Sequence, residues 1–306
     1  MKITFLGTSA GLPTKERNTQ TIILSLAPLN NTFWLFDAGE ACQHQILHTN
    51  IKLGKLDHIF ITHLHGDHIF GLPGLLTSRS FQGGENKPLK VFGPKGIKAY
   101  IETTLLISGS HLNYPLEIIE ITDGDVLYID QIKVNVGMLK HGIDSFGYRI
   151  QFPDTEGNLI SEKLIEAGIQ PGPIYQQFKT QEFVEVDGII YETKNYRNPN
   201  KPGKIITIFG DTMPCEAEID LANNADVIVH ESTYLDGDLD LSHKYYHSHI
   251  DDVAKLVAES HAKKVLINHV SNRYDLQDIA LLKDVIQHKY PEMVFEIVKD
   301  FDNFEI

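Results

Sequence analysis

Ten short apolar runs set the limits on what this chain can fold into. MKITFLG, TIILSLA, TFWLFDAG, HIFIT, LKVFG, IKVNVGMLK, FGYRIQF, IITIFG, DVIVHE and KVLINH are each too short for an ordinary helix. All are rich in β-branched and aromatic residues, so each reads as a strand. Helices are fewer: GEACQHQILHTN, residues 97–108, and SHIDDVAKLVAESH, where Ser248 with Asp251 resembles a capping box. With no heptads, repeats or low-complexity tracts, this pattern predicts an α/β protein, a mixed sheet architecture with helices outside. At 306 residues there is chain for two ordinary domains or one large layered one.

One segment departs from the pattern. From about Pro153 to Pro202, IQPGPIYQQFK and NYRNPNKPGK forbid long regular elements, yet Ile174, Tyr175 and Phe178 are too apolar for a plain linker. The segment is either a surface insertion or a protruding arm whose tip contacts a large partner.

Composition excludes several classes. No apolar run approaches the roughly 20 residues that span a bilayer, and the N-terminus lacks the apolar core of a signal peptide, so a cytoplasmic protein without a membrane partner is expected. The two cysteines, Cys42 and Cys215, form no CxxC pair and leave His, Asp and Glu to bind any metal. A formal net charge of −14 argues against non-specific binding to a polyanion, so a nucleic-acid substrate would need a local basic patch.

The run HIFIT stops where FITHLHGDHIFGLPG gathers His63, His65, Asp67 and His68 in one loop, a side-chain set suited to zinc and similar divalent metals. Other runs also end on a candidate ligand. VNVGMLK leads to His141, IITIFG to Asp211, VLIN to His269, and DVIV to the pair His230 and Glu231. Loops at one edge of a layered sheet converge, so separate strand ends can build one site. The seven candidates His63, His65, Asp67, His68, His141, Asp211 and His269 exceed the need of one tetrahedral ion and fit two metals with a bridging carboxylate, for which Asp211 is our choice. His44, His48, His58, His243 and His261 follow no apolar run and are assigned surface or packing roles.

THLHGDH, followed in order by His141, Asp211 and His269, resembles the HxHxDH motif of the metallo-β-lactamase superfamily. The resemblance implies a four-layer αββα sandwich holding two zinc ions, or Mn2+ or another divalent metal, at its edge. His63, His65 and His141 would bind one ion, Asp67, His68 and His269 the other, and Asp211 both. That superfamily includes lactamases, thioesterases, phosphodiesterases and nucleases, so the centre alone fixes only metal-assisted hydrolysis.

Further stretches resemble the ribonuclease Z family, closest to its short bacterial form, over nearly the whole chain. LPTKERN matches its PxKxRN motif through Pro13, Lys15, Arg17 and Asn18. FDAGEACQHQ matches its Asp-x-Gly-Glu segment, and GLPGLLTSRSFQGG follows the metal loop as in that family. HEST at 230–233 and HSH at 247–249 match its His-Glu and His-Ser-Thr segments, with His249 in place of threonine. The resemblance implies a single domain over 1–306 whose insertion is a flexible tRNA-binding arm. It implies an endoribonuclease that cuts precursor tRNA after the discriminator nucleotide, leaving a 3′-hydroxyl on the tRNA and a 5′-phosphate on the trailer. In that reading Asp67 accepts the proton of the attacking water, while His247, hydrogen-bonded to Glu231, protonates the leaving oxygen.

Each of these assignments has a plainer alternative. His247 could merely flank a helix cap, and Glu231 could pair with His230. Lys15, Arg17 and Asn18 are expected near the cleavage site, or else as solvated charges after a tight turn. Arg79 and Arg273 are expected as phosphate contacts or as structural ion pairs. PGPIYQQFK, with Gly172, Pro173 and Lys179, would hold the tRNA elbow, and the family is homodimeric. The competing functions are a small-molecule phosphodiesterase or thioesterase of the same fold, or an inactive metal-containing tRNA-binding protein.

Overall fold

In a computed structural model, described here for residues 1–306 except 28 and 238, every one of the ten apolar runs contains a strand. In chain order the strands are β1 Lys2–Gly7, β2 Thr21–Ser25, β3 Phe33–Phe36, β4 Leu56–Phe60, β5 Leu89–Gly93, β6 Leu116–Glu120, β7 Val126–Ile129, β8 Ile132–Leu139, β9 Ser145–Gln151, β10 Phe183–Val186, β11 Ile189–Glu192, β12 Ile205–Ile208, β13 Val227–Glu231, β14 Val265–Asn268, β15 Phe295–Ile297 and β16 Asn303–Glu305. The helices are α1 Cys42–Leu47, α2 Gly66–Ile69, α3 Leu72–Phe81, α4 Ile97–Ser108, α5 Ser161–Glu166, α6 Ile174–Thr180, α7 Glu216–Ala222, α8 Leu239–Lys244, α9 Ile250–Ser260 and α10 Leu276–Lys289.

Two seven-stranded sheets carry the main unit, residues 1–151 and 205–306. The first runs β16-β1-β2-β3-β4-β5-β6, antiparallel as far as β3 and parallel from there to β6. The second runs β15-β14-β13-β12-β9-β8-β7, parallel from β15 to β12 and antiparallel from there to β7. Phe36 and Phe60 of the first sheet meet Tyr148 of β9 with ring centroids 6.0 and 5.2 Å apart, and the Tyr148 hydroxyl donates to the Ile61 carbonyl at 2.6 Å. Sheet therefore packs on sheet, with the Tyr148 hydroxyl satisfied.

Each outer face is covered by helices. Leu72, Leu75 and Leu76 of α3 and Ile97 and Ile101 of α4 share a cluster with Leu6, Ile23, Ile59 and Val91. Leu221 of α7, Val253 of α9 and Ile279 and Ile286 of α10 share another with Ile228, Val265 and Ile267. Each such side chain contributes about 1.5–3 kcal/mol on burial, and the four layers together are an αββα sandwich.

Residues 152–204 form a second compact unit with its own small core of Leu164, Ile169, Phe178 and Val184. Its hairpin β10–β11 turns on Asp187 and Gly188, both at positive φ (51° and 81°), as a tight two-residue hairpin turn requires. The Arg197 guanidinium donates to the Phe178 carbonyl and to Glu156. The apolar residues of the sequence segment divide accordingly: Phe178 is spent on this core and Ile174 and Tyr175 pack against it, so none is a free tip contact.

The start of α9 differs by one residue from the sequence expectation. His249, not Ser248, is the N-cap: its Nδ1 accepts from the Asp251 N–H and Asp252 returns the bond to the His249 N–H. Ser248 instead donates to the Thr212 carbonyl. Histidine thus does at 249 the capping that the hydroxyl of a threonine could do.

Candidate metal centre

Strand ends build the site. His63 stands just past β4, with His65, Asp67 and His68 on the loop and short helix α2; His141 follows β8, Asp211 follows β12 and His269 follows β14. Among the described residues, five groups of ligand atoms each lie within 4.8 Å of one another: His63, His65 and His141; His63, His68 and Asp211; Asp67, His68 and His269; and, bringing His247 to the edge of the cluster, His141, Asp211 and His247, and Glu231, His247 and His269. Asp211 Oδ2 lies 3.6 Å from His63 Nε2, 3.5 Å from His68 Nε2 and 3.3 Å from His269 Nε2, within reach of both halves. His65 Nδ1 and His141 Nε2 approach to 3.1 Å, and His68 Nε2 and His269 Nε2 to 3.3 Å.

A cation fits this donor set. His63 Nε2 and Asp211 Oδ1 are buried and have no hydrogen-bond partner, a costly state unless something else binds them. Burial and the neighbouring imidazoles push the His63 pKa well below its usual value. Burial also opposes charge on His68, but Asp211, Asp37 and Asp67 outweigh it and push its pKa well above the usual value. His68 and His269 in turn hold the Asp67 and Asp211 carboxyls well below the usual carboxylate range against the cost of burial. The pocket calls for positive charge, and its inward-facing nitrogens and carboxylate oxygens are the donors for a divalent metal.

The outward-facing nitrogens are fixed by hydrogen bonds. His68 Nδ1 meets Asp37 Oδ2 at 2.8 Å, His63 Nδ1 meets Thr62 Oγ1 at 3.0 Å, His141 Nδ1 meets the Tyr246 carbonyl at 2.8 Å, and His269 Nδ1 meets Thr233 Oγ1 at 3.1 Å. Four of the five imidazoles are therefore held at one nitrogen with the other turned inward, the arrangement of metal-ligating histidine. Asp37 is fully buried and accepts from Thr62 N–H and Oγ–H, from His68 Nδ1–H and from Gln20. Asp37, Tyr246 and His269 all sit in left-handed backbone, with φ of 56°, 59° and 51°. Asp67 also accepts the Gly11 N–H at 2.8 Å.

Beside these groups, His247 Nδ1 lies 2.8 Å from Glu231 Oε1. Burial works against charge on His247, but the Glu231 carboxylate overcomes it and raises the pKa to about 9. Glu231 does not pair with the adjacent His230, whose Nε2 bonds Glu218 Oε1 and whose Nδ1 bonds the Glu231 carbonyl. Besides His247, the Glu231 carboxylate accepts Thr212 N–H and both the N–H and the hydroxyl of Thr233.

Several expected substrate contacts are relocated by the structure. Arg79 is buried, stacked over Tyr114, with its guanidinium donating to the carbonyls of Leu56, Gly84, Lys87 and Pro88, so it cannot reach a phosphate. Arg17 is buried as well and donates to Thr8 Oγ1 and the Val298 carbonyl; Asn18 donates to the Glu40 carbonyl and to Asp300. Both hold their loop in place from behind. Lys15 is exposed, and exposed Arg273 lies over the Tyr234 ring at 4.5 Å. Gly172, Pro173 and Lys179 are exposed on the 152–204 unit. Sequence reasoning passed over Asp37, Thr62 and Thr233. Asp37 and Thr233 stand inside FDAGEACQHQ and HEST, which carried the signal.

A hydrolase of the metallo-β-lactamase fold is the class that this sandwich and its edge cluster define. The chain superposes over 99% of its length on 98% of the metallo-β-lactamase fold protein YhfI of Bacillus subtilis, with a TM-score of 0.67 and 16% identity. It covers 99% of the human tRNase Z short form, ELAC1, with all of its own length, a TM-score of 0.70 and 25% identity. Residues 1–154 match the family model described as Anti-Pycsar protein Apyc1, a match that ends before Asp211, Glu231, His247 and His269. A ribonuclease Z of Macrococcus caseolyticus spans all of these, being 64% identical over 306 residues and the full length of both chains. The chain belongs to the ribonuclease Z family, the endoribonucleases of tRNA 3′ processing.

Proposed function

We propose that this chain removes the 3′ trailer from precursor tRNA by a single hydrolytic cut after the discriminator nucleotide, with two divalent metal ions, zinc or a substitute such as manganese, in its centre. The observation that carries the reading is the convergence of five imidazoles and two carboxylates from strand ends of both sheets on one edge of the sandwich, with the Glu231–His247 pair beside them. His63, His65 and His141 would hold one ion, Asp67, His68 and His269 the other, and Asp211, within reach of both groups, the pair. When bound, the metals activate water at neutral pH and neutralise charge on the phosphoryl oxygens.

The residues do the remaining work. Asp67, ionised and held by the Gly11 N–H, accepts the proton of the attacking water. His247, kept protonated by Glu231, delivers a proton to the departing 3′-oxygen, an alkoxide that leaves poorly without one. Lys15 and Arg273 are the exposed cations of the expected set beside the motif loops, whereas Arg17 and Asn18 act by holding their loop.

With a net charge of −14, tRNA binding must be local. Residues 152–204, with Gly172, Pro173 and Lys179 exposed, serve as the arm that grips the tRNA elbow by shape. A homodimer is supported by Leu47, Phe81, Leu106 and Ile107, exposed apolar side chains on α1, α3 and α4. Among the described residues no helix is long and apolar enough to cross a membrane, and the substrate class assigns the work to the cytoplasm. Incubation with a 3′-extended tRNA transcript, with and without chelator, tests the function: a 3′-hydroxyl at the discriminator, lost with chelation and regained on adding metal, is expected. Cleavage elsewhere, or cleavage indifferent to chelator, overturns it.

A further inference from the structure

The edge holds two hydrogen-bond networks of the same design. In the first, His63 Nδ1 meets Thr62 Oγ1 at 3.0 Å, Thr62 Oγ1 lies 2.9–3.0 Å from both Asp37 oxygens, and His68 Nδ1 meets Asp37 at 2.8 Å. In the second, His269 Nδ1 meets Thr233 Oγ1 at 3.1 Å, Thr233 Oγ1 meets Glu231 Oε2 at 2.7 Å, and His247 Nδ1 meets Glu231 Oε1 at 2.8 Å. A threonine hydroxyl has one proton. A carboxylate can only accept, so that proton goes to Asp37 or Glu231. For Thr233 the His269 carbonyl at 3.2 Å and His247 Nδ1 at 3.3 Å are also near, but the Glu231 oxygen at 2.7 Å is the closest acceptor. The imidazole on the other side donates its own Nδ1–H to the hydroxyl. Nε2 of His63 and of His269 is thereby left bare and facing inward. The tautomer that a metal needs is fixed by a threonine one step away.

The two networks differ at one end. The first joins two imidazoles of the ligand set, whereas the second joins one such imidazole to His247. We propose that Thr233 is a positioning residue that serves both functions of the site: it holds His269 in the metal-binding tautomer and holds Glu231 behind His247, joining metal binding to proton donation. This rests on the assignment of His247 as the acid.

The test uses the full-length, metal-loaded protein and the variants Thr233→Val, Thr233→Ser, His247→Ala and the Val/Ala double. Zinc affinity is read by competition with a chromophoric chelator, and kcat and KM are read on a 3′-extended tRNA. Thr233→Val is expected to weaken zinc binding and to lower kcat, each by about 10- to 100-fold, with KM little changed, and Thr233→Ser to restore both. In the His247→Ala background the same valine should still weaken zinc binding but cost little further kcat measured at saturating metal. Loss of zinc affinity with full kcat at saturating metal, or loss of kcat with unchanged affinity, overturns the joint role. Failure of serine to rescue either quantity overturns it too, by assigning the loss to packing. If His247→Ala itself keeps normal turnover, the acid assignment has failed, and Thr233 is then judged on zinc affinity alone.

Discussion

The Thr62–Asp37 network and the Thr233–Glu231 network have equivalent parts and unequal surroundings. Asp37 is fully buried among groups that face the metal pocket, and it accepts from His68, whose side chain is wholly enclosed. Glu231 is as deeply buried, but it accepts from His247, whose side chain keeps 18% of its surface open. An enclosed imidazole between carboxylates can serve only the metal. An open one backed by a carboxylate can exchange its proton with a substrate, so on the proposed reading one design serves a metal ligand in the first network and a proton donor in the second.

The sharpest way to break this comparison is at the residue within reach of both ligand groups. Asp211→Ala should lower tRNA cleavage by about 10³-fold, the several kcal/mol expected of metal charge stabilisation, and excess metal should not restore it. Cleavage within tenfold of the parent enzyme would rule out a shared carboxylate. His247→Ala comes next: kcat should fall about 10²- to 10³-fold with zinc affinity unchanged. Its pKa also predicts a pH effect. The folded value, about 9, exceeds the ordinary imidazole value of 6.5, so the pair's contribution to stability is fully present below pH 6.5 and is lost as pH rises through 9. Denaturant melts of the chelated protein at pH 6 and pH 10 should therefore converge for His247→Ala more than for the parent; equal pH dependence would remove the ion pair from the account.

Asp37→Asn should act on the metal alone. Asparagine tolerates the left-handed backbone at φ 56°, but loses an acceptor oxygen for His68 and Thr62. Zinc affinity should fall about tenfold, with cleavage recovered at excess metal; a deficit that excess metal leaves intact would show that the two networks are not specialised as described. The smallest effect on chemistry should follow excision of residues 153–203. Gln151 and Ile205 remain paired across β9 and β12, so both networks should keep their metal content and hydrolysis of a small phosphodiester should stay within about twofold. KM for precursor tRNA should meanwhile rise by about tenfold or more. Equal loss on the small and the large substrate would make the segment structural.

Much of this was legible in the sequence, because a strand buried in a sandwich is written as an unbroken apolar run and the candidate ligands, which the structure brings together, stand where those runs stop. Elements with mixed faces were not. β6 and β7 lie at sheet edges, half-exposed, and α10 buries little more than Ile279 and Ile286 while leaving Leu276, Leu281 and Val285 exposed, so its apolar stripe blurs. The hairpin β10–β11 did carry a signal, Asp-Gly between the β-prone runs FVEV and IIY, overlooked inside a segment punctuated by proline. Arginine was misjudged for another reason: charge alone does not tell whether a guanidinium faces solvent, and Arg17 and Arg79 lie inside, collecting carbonyls. The ligands could be read because their chemistry is rare, whereas Thr62 and Thr233 look like any other threonine until the partners of the hydroxyl are known.

The left-handed backbone at His269 bears on how such a centre can change over generations. Most side chains other than Gly, Asn, Asp and His are strained at φ 51°, so a step from histidine to Cys or Glu there carries a conformational penalty before any metal is considered, whereas a step to Asp does not. His65, in ordinary extended backbone with φ −65° and ψ 150°, carries none. Retuning toward a different metal is therefore open to more ligand types at position 65 than at position 269, and laboratory selection for new metal preference should find the wider range of accepted replacements at position 65.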